Sequence, residues 1–441
     1  MIFIYIAIFF LSVLFIMYIL IRSRNKMYKY NQKQDYIYDF KNPKIFEIEN
    51  IDLKEFKNNE TLILKLNIKS NFLSKLYTPY IEVISSNKKE KTFFEHSAKG
   101  IRYIDISSFC GAKIKLNPIY LSINNKQVEI YSFNNINIEN KKVLIISPHA
   151  DDAEIASFGL YSSAKESFIV TVTAGEGGSK YCNLESNKSK QALLKGNLRV
   201  FNALTTGVLG GVKHENSIVL GYFTESIKKM FEAKASIIPS KSADIEDVNY
   251  FRRVEHSKIV TNPNACSKWE SLVEDFVQIL GSINPDFIFT LHPQIDSHPD
   301  HQYITLALIE AMDKLEHKNT KLLTNTNHLT YNEIYPYGKM FSTLALAPSF
   351  LASFLFDEIY SHRLTKEQQI YKYYALETMH DLRDSTIQIG LKKPFVFAFR
   401  QLRRYINGKE QSYYRRAVKT NEIFYIIDSQ KMKEVFKEII K

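Results

Sequence analysis

The stretch KKVLIIS, residues 141–147, decides the fold, because its two lysines are followed by a continuous apolar run. Such a run predicts a strand that is buried on both faces of a parallel sheet. FIVTVTAG (168–175) and PDFIFTLHP (285–293) repeat the pattern, and the helical stretches LLKGNLRVFNAL (193–204) and SLVEDFVQILGSI (271–283) lie between them. The alternation predicts an α/β domain with a doubly wound, mostly parallel, Rossmann-like sheet, whose ligands lie at the carboxyl ends of the strands.

The region before this domain has a different pattern. Short alternating segments, TLILKLNI (61–68), YIEVIS (80–85), YIDIS (103–107) and VEIYSF (128–133), are separated by polar turns. Alternation with a period of two predicts strands with one buried face, so residues 41–138 are predicted to form a small antiparallel β domain. No chemical motif falls inside it. An accessory or docking role is the main interpretation, and glycan binding is the alternative.

The chain begins with an apolar segment, residues 1–21, that contains no charged side chain. At a rise of about 1.5 Å per residue, this run covers the hydrocarbon core of a bilayer, which is about 30 Å thick. A cleaved signal peptide would need a positive first region and a small-residue cleavage site, which are missing. Positive charges follow at Arg22, Arg24, Lys26 and Lys29. The sequence therefore predicts a single-pass anchor in the cell membrane or an endomembrane, with the rest of the chain facing the cytoplasm.

The length of 441 residues exceeds what one ordinary core uses, which favours more than one domain. We predict a transmembrane helix at residues 1–22, a linker at 23–40, the β-rich accessory domain at 41–138 and the α/β domain at 139–441. From about residue 330 onward the last of these is predicted to be a C-terminal extension.

Composition excludes several classes of protein. Hydrophobic residues make up 45% and charged residues 24% of the chain, which excludes collagen-like, disulfide-scaffold and wholly disordered proteins. Cys110, Cys182 and Cys266 lie far apart and form no CxxC pair, so the sequence contains neither a disulfide framework nor a thiolate zinc cluster. A reducing compartment fits these cysteines best.

The formal charge of +11 predicts affinity for anionic surfaces. Part of that charge lies in a basic stretch near the C-terminal end, which reads either as a solvated helix face or as a contact with an anionic membrane leaflet. The stretch contains Lys392, Lys393, Arg400, Arg403, Arg404, Arg415 and Arg416. No nucleic-acid-binding module accompanies the charge, so no nucleic-acid partner is predicted.

Two further segments carry structural predictions. FSTLALAPSFLASFLF (341–356) is sixteen residues without charge, which is short for a membrane span and predicts a core or interfacial helix. PSKSADIEDVNYF (239–251) is polar and predicts a lid over the functional site, with a disordered insertion as the alternative.

Metal-competent side chains are concentrated in two loops, SPHADDAEI (147–155) and HPQIDSHPDH (292–301), each of which follows a predicted buried strand. The side chains are His149, Asp151, Asp152, His292, Asp296, His298, Asp300 and His301. The carboxyl ends of parallel strands meet at one edge of a sheet, so the two loops can converge on one point. Three nitrogen or oxygen donors suffice to hold a hydrolytic Zn²⁺ with a position open for water. Of two adjacent carboxylates, one can bind the metal while the other accepts a proton from water.

Pro148-His149-Ala150-Asp151-Asp152 and His298-Pro299-Asp300-His301 resemble the PHPDDE-type loop and the later HPDH of the PIG-L/LmbE-like zinc-dependent de-N-acetylases. The resemblance covers residues 141–310. It implies an amidohydrolase that uses Zn²⁺ to remove the acetyl group from an N-acetylated amino sugar, as an N-acetylglucosaminyl deacetylase does.

The resemblance also implies a metal-ligand set and a base. The zinc ligands would be His149, Asp152 and His301, and Asp151 would be the general base that takes a proton from water. All four positions match the motifs of the family.

Three further roles follow from the same resemblance. His298 would be the general acid and would polarise the carbonyl group, with Asp300 orienting it. Arg199, in the helical stretch 193–204, is similar to the family's helix arginine near the substrate.

The sequence departs from the family pattern at three places. Ala150 replaces a proline, Glu154 is displaced by one position after the DD pair, and Asn202 stands where a glutamate is common. The first change affects loop rigidity, and the other two affect substrate contacts rather than the metal ligands.

Taken together, the sequence predicts a membrane-anchored zinc hydrolase that deacetylates a lipid-linked or nucleotide-linked glycan. A non-haem Fe(II) oxygenase is one alternative, because His149-x-Asp151 with a distant histidine also matches a two-histidine, one-carboxylate site. A non-catalytic glycan-binding or scaffold protein is the other. Such a protein would most simply lose Asp151 or His298, and both are present.

Overall fold

The computed structural model describes residues 2–177, 185–254, 256–316, 321–332, 334–379, 394–395, 398–399, 402 and 413–439. The chain divides into two compact units. Of the described residues, the first unit contains those up to Asn134 and Leu329–Ser353, and the second contains those between Asn135 and His328 and those from Phe354 onward. The segment Leu329–Ser353 therefore belongs to the first unit, whereas the sequence-based domain limits assign it to the C-terminal extension.

The first helix, α1 (Ile2–Asn25), contains the apolar N-terminal run. Within it, Ile2–Ile19 is long and apolar enough to cross a membrane, and none of that window is buried against the rest of the chain. The apolar side chains of this helix are therefore exposed, and the helix is long enough to place them in the hydrocarbon core of a bilayer.

The remainder of the first unit is built from antiparallel strands. Their bounds are β1 Lys44–Glu47, β2 Ile51–Asp52, β3 Glu60–Ser70, β4 Tyr80–Ile84, β5 Lys89–Phe93, β6 Lys99–Asp105, β7 Lys113–Ile119, β8 Leu121–Ile123 and β9 Gln127–Asn134. One sheet has the order β1-β9-β3-β6, with β8 pairing β3, and the other has the order β2-β7-β4-β5. Leu62, Leu64, Leu66 and Ile68 alternate along β3 and are fully buried, and Thr61 and Ile63 are buried as well, so the first half of the strand is covered on both faces.

The predicted helix at residues 341–356 is wrong. The segment contains no helix and instead adds to the strands of the first unit. The Thr343 N–H donates to the Lys91 carbonyl at 2.9 Å, and the Leu346 N–H donates to the Tyr103 carbonyl at 3.1 Å. An apolar run with a proline at residue 348 suits such edge pairing better than a helix interior, where proline removes a backbone donor.

The second unit is organised around a seven-stranded sheet. The remaining strands are β10 Lys142–Ser147, β11 Glu166–Thr173, β12 Ser217–Tyr222, β13 Phe287–Leu291, β14 Lys321–Asn325, β15 Glu358–Arg363 and β16 Asn421–Asp428. The sheet order is β12-β11-β10-β13-β14-β16-β15. The first five strands pair in parallel, while β16 pairs antiparallel with both β14 and β15.

The fold is therefore mixed α/β. The predicted doubly wound parallel sheet is not confirmed, because β16 runs antiparallel to both of its neighbours in this sheet and the named strands of the first unit pair antiparallel. The order of strands along the chain does reverse between β10 and β13, which is where open α/β sheets leave a crevice for ligands.

Helices accompany the strands of the second unit. Their bounds are α2 Asp152–Ser163, α3 Lys188–Thr205, α4 Ile227–Glu232, α5 Trp269–Ile283, α6 Pro299–Lys314, α7 Lys366–Thr378, α8 Tyr413–Ala417 and α9 Ser429–Ile439. The two that begin directly after the motif loops are α2, which starts one residue after Asp151, and α6, which starts one residue after His298.

Helix α2 is kinked at Ser157, where the backbone leaves the helical region. At the kink, two buried charged side chains bind the two backbone groups that would otherwise bond to each other. In a regular helix the Ile155 carbonyl would accept from the Gly159 N–H. Here Lys372 Nζ donates to the Ile155 carbonyl at 2.8 Å, and Glu422 Oε1 accepts from the Gly159 N–H at 2.9 Å. Lys372 and Glu422 also contact each other at 2.8 Å, with side chains 1% and 3% exposed.

We expect Lys372→Met to lower the free energy of unfolding of the second unit by about 3–5 kcal/mol, because it leaves Glu422 buried without its counter-ion. Trp269 is the only tryptophan and is buried in α5, so its fluorescence reports the unfolding of this unit. The control is Lys258→Met, whose partner Glu215 lies 3.8 Å away in an exposed pair that should contribute little. Equal denaturation midpoints for the two variants would contradict the bridging role.

Of the basic residues in the C-terminal stretch, the structure describes Arg415 and Arg416. Arg415 lies 3.4 Å from Glu377, and Arg416 is buried. The other basic residues of that stretch, and Cys182, lie outside the described residues. Cys110 and Cys266 are free thiols.

Candidate metal centre

The first motif loop connects β10 to α2 and is held by short polar contacts. Ser147 Oγ donates to the His149 carbonyl at 2.5 Å and accepts from the Ala153 N–H at 3.2 Å. The Pro148 carbonyl accepts from both the backbone N–H and the hydroxyl of Thr173, at 3.0 and 2.9 Å. These bonds fix the loop across the ends of β10 and β11, so the side chains that follow are placed by the sheet.

The second motif loop connects β13 to α6, and its HPDH sequence is a helix start. His298 is the N-cap of α6, and its Nδ1 accepts from the Asp300 N–H at 3.2 Å, with Pro299 in the first turn. Because Nδ1 is an acceptor, a neutral His298 ring carries its proton on Nε2. The cap therefore sets both the position and the tautomer of this imidazole.

The two loops bring three predicted ligand atoms into a nearly equilateral triangle. His301 Nε2 lies 3.1 Å from His149 Nδ1 and 3.2 Å from Asp152 Oδ2. The third side, from His149 Nδ1 to Asp152 Oδ2, is 3.2 Å. All three residues are buried. The two loops are about 150 residues apart in sequence, and the parallel pairing of β10 with β13 brings them together in space.

This triangle fits a small divalent cation. Two ligand atoms that each lie about 2.0–2.1 Å from one tetrahedral Zn²⁺ are about 3.3 Å apart. His298 also lies within reach, because one ring nitrogen each of His149, His298 and His301 lie within 4.8 Å of one another. The shorter separations include Asp152 rather than His298, so the geometry favours His149, Asp152 and His301 as the ligand set.

A carboxylate contacts the outer ring nitrogen of each histidine in the triangle. Asp300 Oδ2 lies 3.3 Å from His149 Nε2, and Asp296 Oδ1 lies 2.9 Å from His301 Nδ1. Metal-binding histidines usually have such a partner, which fixes the tautomer and the orientation of the ring. The two carboxylates therefore provide the partners that orient histidine ligands in a metal site.

The electrostatics of the triangle also suit a cation. Burial lowers the pKa of His149, but hydrogen bonds with Asp152 and Asp300 outweigh it and raise the pKa to about 9. The pKa of His301 is likewise raised well above its usual value: burial opposes the charge, and Asp152 and Asp296 favour it. Burial raises the pKa of Asp152, but the positive charge of His301 and the hydrogen bonds hold that pKa well below its usual value. The carboxylates around the triangle thus favour a positive charge there.

The predicted base and the predicted substrate arginine contact each other. Arg199 Nη2 lies 3.0 Å from Asp151 Oδ1, and both side chains are largely buried, at 11% and 16% exposure. Gly175 lies against Arg199 with φ of +68°, and a Cβ at this position would overlap the guanidinium group. Only glycine combines that backbone conformation with the close approach, so Gly175 leaves the space in which Arg199 reaches Asp151.

His298 lies beside the triangle. Its ring centroid is 4.8 Å from that of His149 and 4.7 Å from that of His301. Burial, together with repulsion from those two imidazoles, lowers the pKa of His298 to about 4. The expected contact with Asp300 is made through the backbone N–H, whereas the Asp300 carboxylate faces His149.

Several sequence candidates lie apart from the triangle. His292 is fully buried, and its Nε2 contacts the Leu355 carbonyl at 3.0 Å, as a structural histidine does. Asn202 donates to the Thr378 carbonyl at 3.0 Å. Glu154 is buried in α2, where burial raises its pKa to about 8.

The predicted lid segment, residues 239–251, is packed rather than disordered. Val248 and Phe251 are fully buried, and Ser240 Oγ donates to Glu176 Oε1 at 2.7 Å. Glu176 also accepts from the Thr224 N–H at 3.2 Å, so this residue joins the segment to the loops that follow β11 and β12.

Sequence reasoning missed the residues that follow β14. Asn327, which is buried, donates from Nδ2 to Asp152 Oδ1 at 2.8 Å. Glu225 was also missed; its backbone N–H donates to Asp300 Oδ2 at 2.8 Å. The one feature of the sequence that could have indicated Asn327 is its position after β14. This strand pairs in parallel with β13, so its carboxyl end lies at the same sheet edge as the two motif loops.

Comparison with known families identifies the domain that carries this site. Residues 144–312 match the PIG-L family, described as GlcNAc-PI de-N-acetylase, so the chain contains a PIG-L domain there. The resemblance drawn from the two motifs is thereby confirmed. The comparison with curated proteins gave no match.

Solved structures give weaker similarities. An N,N'-diacetylchitobiose deacetylase from Pyrococcus horikoshii is 18% identical, with 66% of this chain and 85% of that chain covered and a TM-score of 0.34. The pseudoaglycone deacetylase Dbv21 is 14% identical, with coverages of 66% and 98% and a TM-score of 0.34. The hydratase GalB from Pseudomonas putida is 13% identical, with coverages of 65% and 95% and a TM-score of 0.30. TM-scores this low say little, so the family match is the informative result.

Proposed function

Because residues 144–312 form a PIG-L domain, we propose that this chain is a zinc-dependent hydrolase that removes the N-acetyl group from an N-acetylated amino sugar of the N-acetylglucosamine type. The observation that carries the proposal is the triangle of His149 Nδ1, Asp152 Oδ2 and His301 Nε2, with sides of 3.1–3.2 Å. Its spacing and donor types suit a hydrolytic metal, and the DD pair leaves one carboxylate for proton transfer.

His149, Asp152 and His301 are the residues that would hold Zn²⁺. When bound, zinc supplies a Lewis acid that polarises an amide carbonyl and makes a coordinated water more acidic. The protein's part is to keep the two imidazoles oriented. Asp300 and Asp296 do this through the outer nitrogens of His149 and His301.

Asp151 is the proposed general base. It precedes the ligand Asp152 directly, and Arg199 holds one of its oxygens at 3.0 Å, which leaves the second oxygen to accept a proton from the attacking water. The contact with Arg199 fixes the direction of the carboxylate. Arg199 is also the proposed contact for an oxygen-rich substrate beside the base.

His298 is the proposed acid that polarises the carbonyl group. Its Nδ1 is engaged by the cap of α6, so Nε2 is the atom that donates a hydrogen bond to the carbonyl oxygen, and the proton that the departing amine gains is the one that Asp151 takes from water. Protonation of the amine is what allows the C–N bond to break and acetate to leave. The Asp300 N–H, which binds Nδ1, is the group that orients this ring.

The substrate is proposed to be lipid-linked or nucleotide-linked, with lipid linkage favoured by α1. A single-pass anchor at residues 1–22 would keep the catalytic domain, residues 139–441, at the membrane that carries such a sugar, on the cytoplasmic side. The β domain, residues 41–138, would then be an accessory domain that follows the anchor along the chain.

The proposal is tested by acetate release from the full-length protein in detergent or vesicles. We expect release from an N-acetylated amino sugar to require metal, to stop with a chelator and to return with Zn²⁺. A lipid-carried sugar should react faster than the free sugar when the enzyme is in the same vesicle. Equal rates would contradict only the lipid linkage. Metal-loaded protein that releases no acetate from soluble, nucleotide-linked and lipid-linked sugars would contradict the activity, and bound iron with oxygen consumption would favour an oxygenase.

A further inference from the structure

Asn327 contacts both motif loops that contribute atoms to the triangle. It lies beyond the part of the chain that matches the family, residues 144–312. It follows β14 and is 4% exposed. Its side chain reaches the first motif loop and its backbone reaches the second.

The side chain acts on Asp152. Asn327 Nδ2 donates to Asp152 Oδ1 at 2.8 Å and to the Asp152 carbonyl at 3.2 Å. The other carboxylate oxygen, Oδ2, accepts from the His149 N–H at 2.8 Å and faces the ring nitrogens of His149 and His301. A donor on each oxygen prevents the carboxylate from rotating about its Cβ–Cγ bond, so one defined oxygen faces the point that the triangle encloses.

The backbone acts on Asp296. The N–H groups of Asn327 and His328 donate to Asp296 Oδ2 at 2.8 and 3.0 Å. The remaining oxygen, Oδ1, lies 2.9 Å from His301 Nδ1. The same short segment thus fixes the carboxylate that orients His301.

We infer that Asn327 is a positioning residue that turns Asp152 toward the metal through a single oxygen and ties that ligand to the Asp296–His301 pair. The inference rests on the proposed ligand set. An amide suits the task better than a carboxylate or a hydroxyl, because its NH₂ group donates to both the Asp152 side chain and its carbonyl, and because it adds no charge beside an anionic ligand.

The test is metal affinity of the full-length protein, measured with Co²⁺ by visible absorption and with Zn²⁺ by chelator competition. We expect Asn327→Ala to weaken binding of both metals about 10–100-fold. We also expect a changed Co²⁺ spectrum, because the Asp152 carboxylate can then rotate. Asn327→Leu, which keeps a similar volume without a donor, should behave in the same way. Asn216→Ala is the matched control: this buried amide donates to the Ser167 carbonyl at 3.1 Å, away from the triangle, and its loss should leave both readouts unchanged.

Trp269 fluorescence shows whether each variant is folded at the temperature of the measurement. Folded Asn327 variants with wild-type affinity and a wild-type Co²⁺ spectrum would overturn the inference. Wild-type protein that binds neither metal would overturn both the ligand set and the role of Asn327. Wild-type protein that binds metal but releases no acetate would contradict only the proposed activity, and the affinity ratio would still decide the role of Asn327.

Discussion

Asp151→Asn is expected to lower kcat for acetate release by about 10²–10⁴-fold, the usual contribution of a positioned general base. The substitution keeps the shape of the side chain and its place one residue before α2. An amide has no lone pair basic enough to take a proton from water, so the loss should appear in the chemical step. Because Asp151 is absent from the triangle, metal content should stay at the wild-type value.

The division between kcat and KM tests the role further. A group that acts only in the transition state lowers kcat with little change in KM, whereas a substrate contact changes KM. Arg199 touches the same carboxylate at 3.0 Å, so Arg199→Gln should show both effects if it also contacts the sugar.

The matched control for this prediction is Asp286→Asn. Asp286 precedes β13 and contacts Lys141 at 2.8 Å, at the end of the sheet opposite to the motif loops. Its loss should leave kcat unchanged. An Asp151→Asn enzyme with wild-type kcat, or one that has lost its metal, would contradict the assignment of Asp151 as the base.

The parts of the site that the sequence predicted are those encoded locally. His149 and Asp152 lie in one loop, and His301 lies at the start of one helix. A buried strand before each loop implied a shared sheet edge, which the pairing of β10 with β13 provides. Short motifs after parallel strands carry enough information to bring such side chains together.

The parts that the sequence did not predict depend on contacts between distant segments. Asn327 follows a strand with no motif of its own, and nothing local marks its amide as a partner of Asp152. The family resemblance assigned Asp300 to orient His298, yet the Asp300 carboxylate contacts His149 and only its backbone N–H contacts His298. Helix caps and side-chain directions decide such pairings, and a spacing rule does not contain them.

The same reason explains the wrong helix at residues 341–356. An apolar run without charge is consistent with a buried helix or with a buried extended segment, and length alone did not separate them. Pairing of Thr343 and Leu346 with strands of the first unit decided the outcome, and that pairing is non-local.

His301→Ala is expected to weaken metal affinity by more than about 100-fold, beyond what is usual for a residue that only orients a ligand. Acetate release should fall with the metal content. The substitution removes one corner of the triangle and the partner of both Asp152 and Asp296. Inductively coupled plasma analysis gives the metal content, and chelator competition gives the affinity.

His292→Ala is the control that separates loss of a metal ligand from loss of a buried histidine. Both histidines are fully buried and both follow β13, but His292 contacts the Leu355 carbonyl and no atom of the triangle. Its loss should lower the denaturation midpoint reported by Trp269 while the affinity of the folded protein for metal stays near wild type. If the two variants lost metal to the same extent, burial of an imidazole near this sheet edge would explain the effect, and His301 would not be a ligand. If only His301→Ala lost metal, general disruption of the loop would be excluded and direct coordination by His301 would remain.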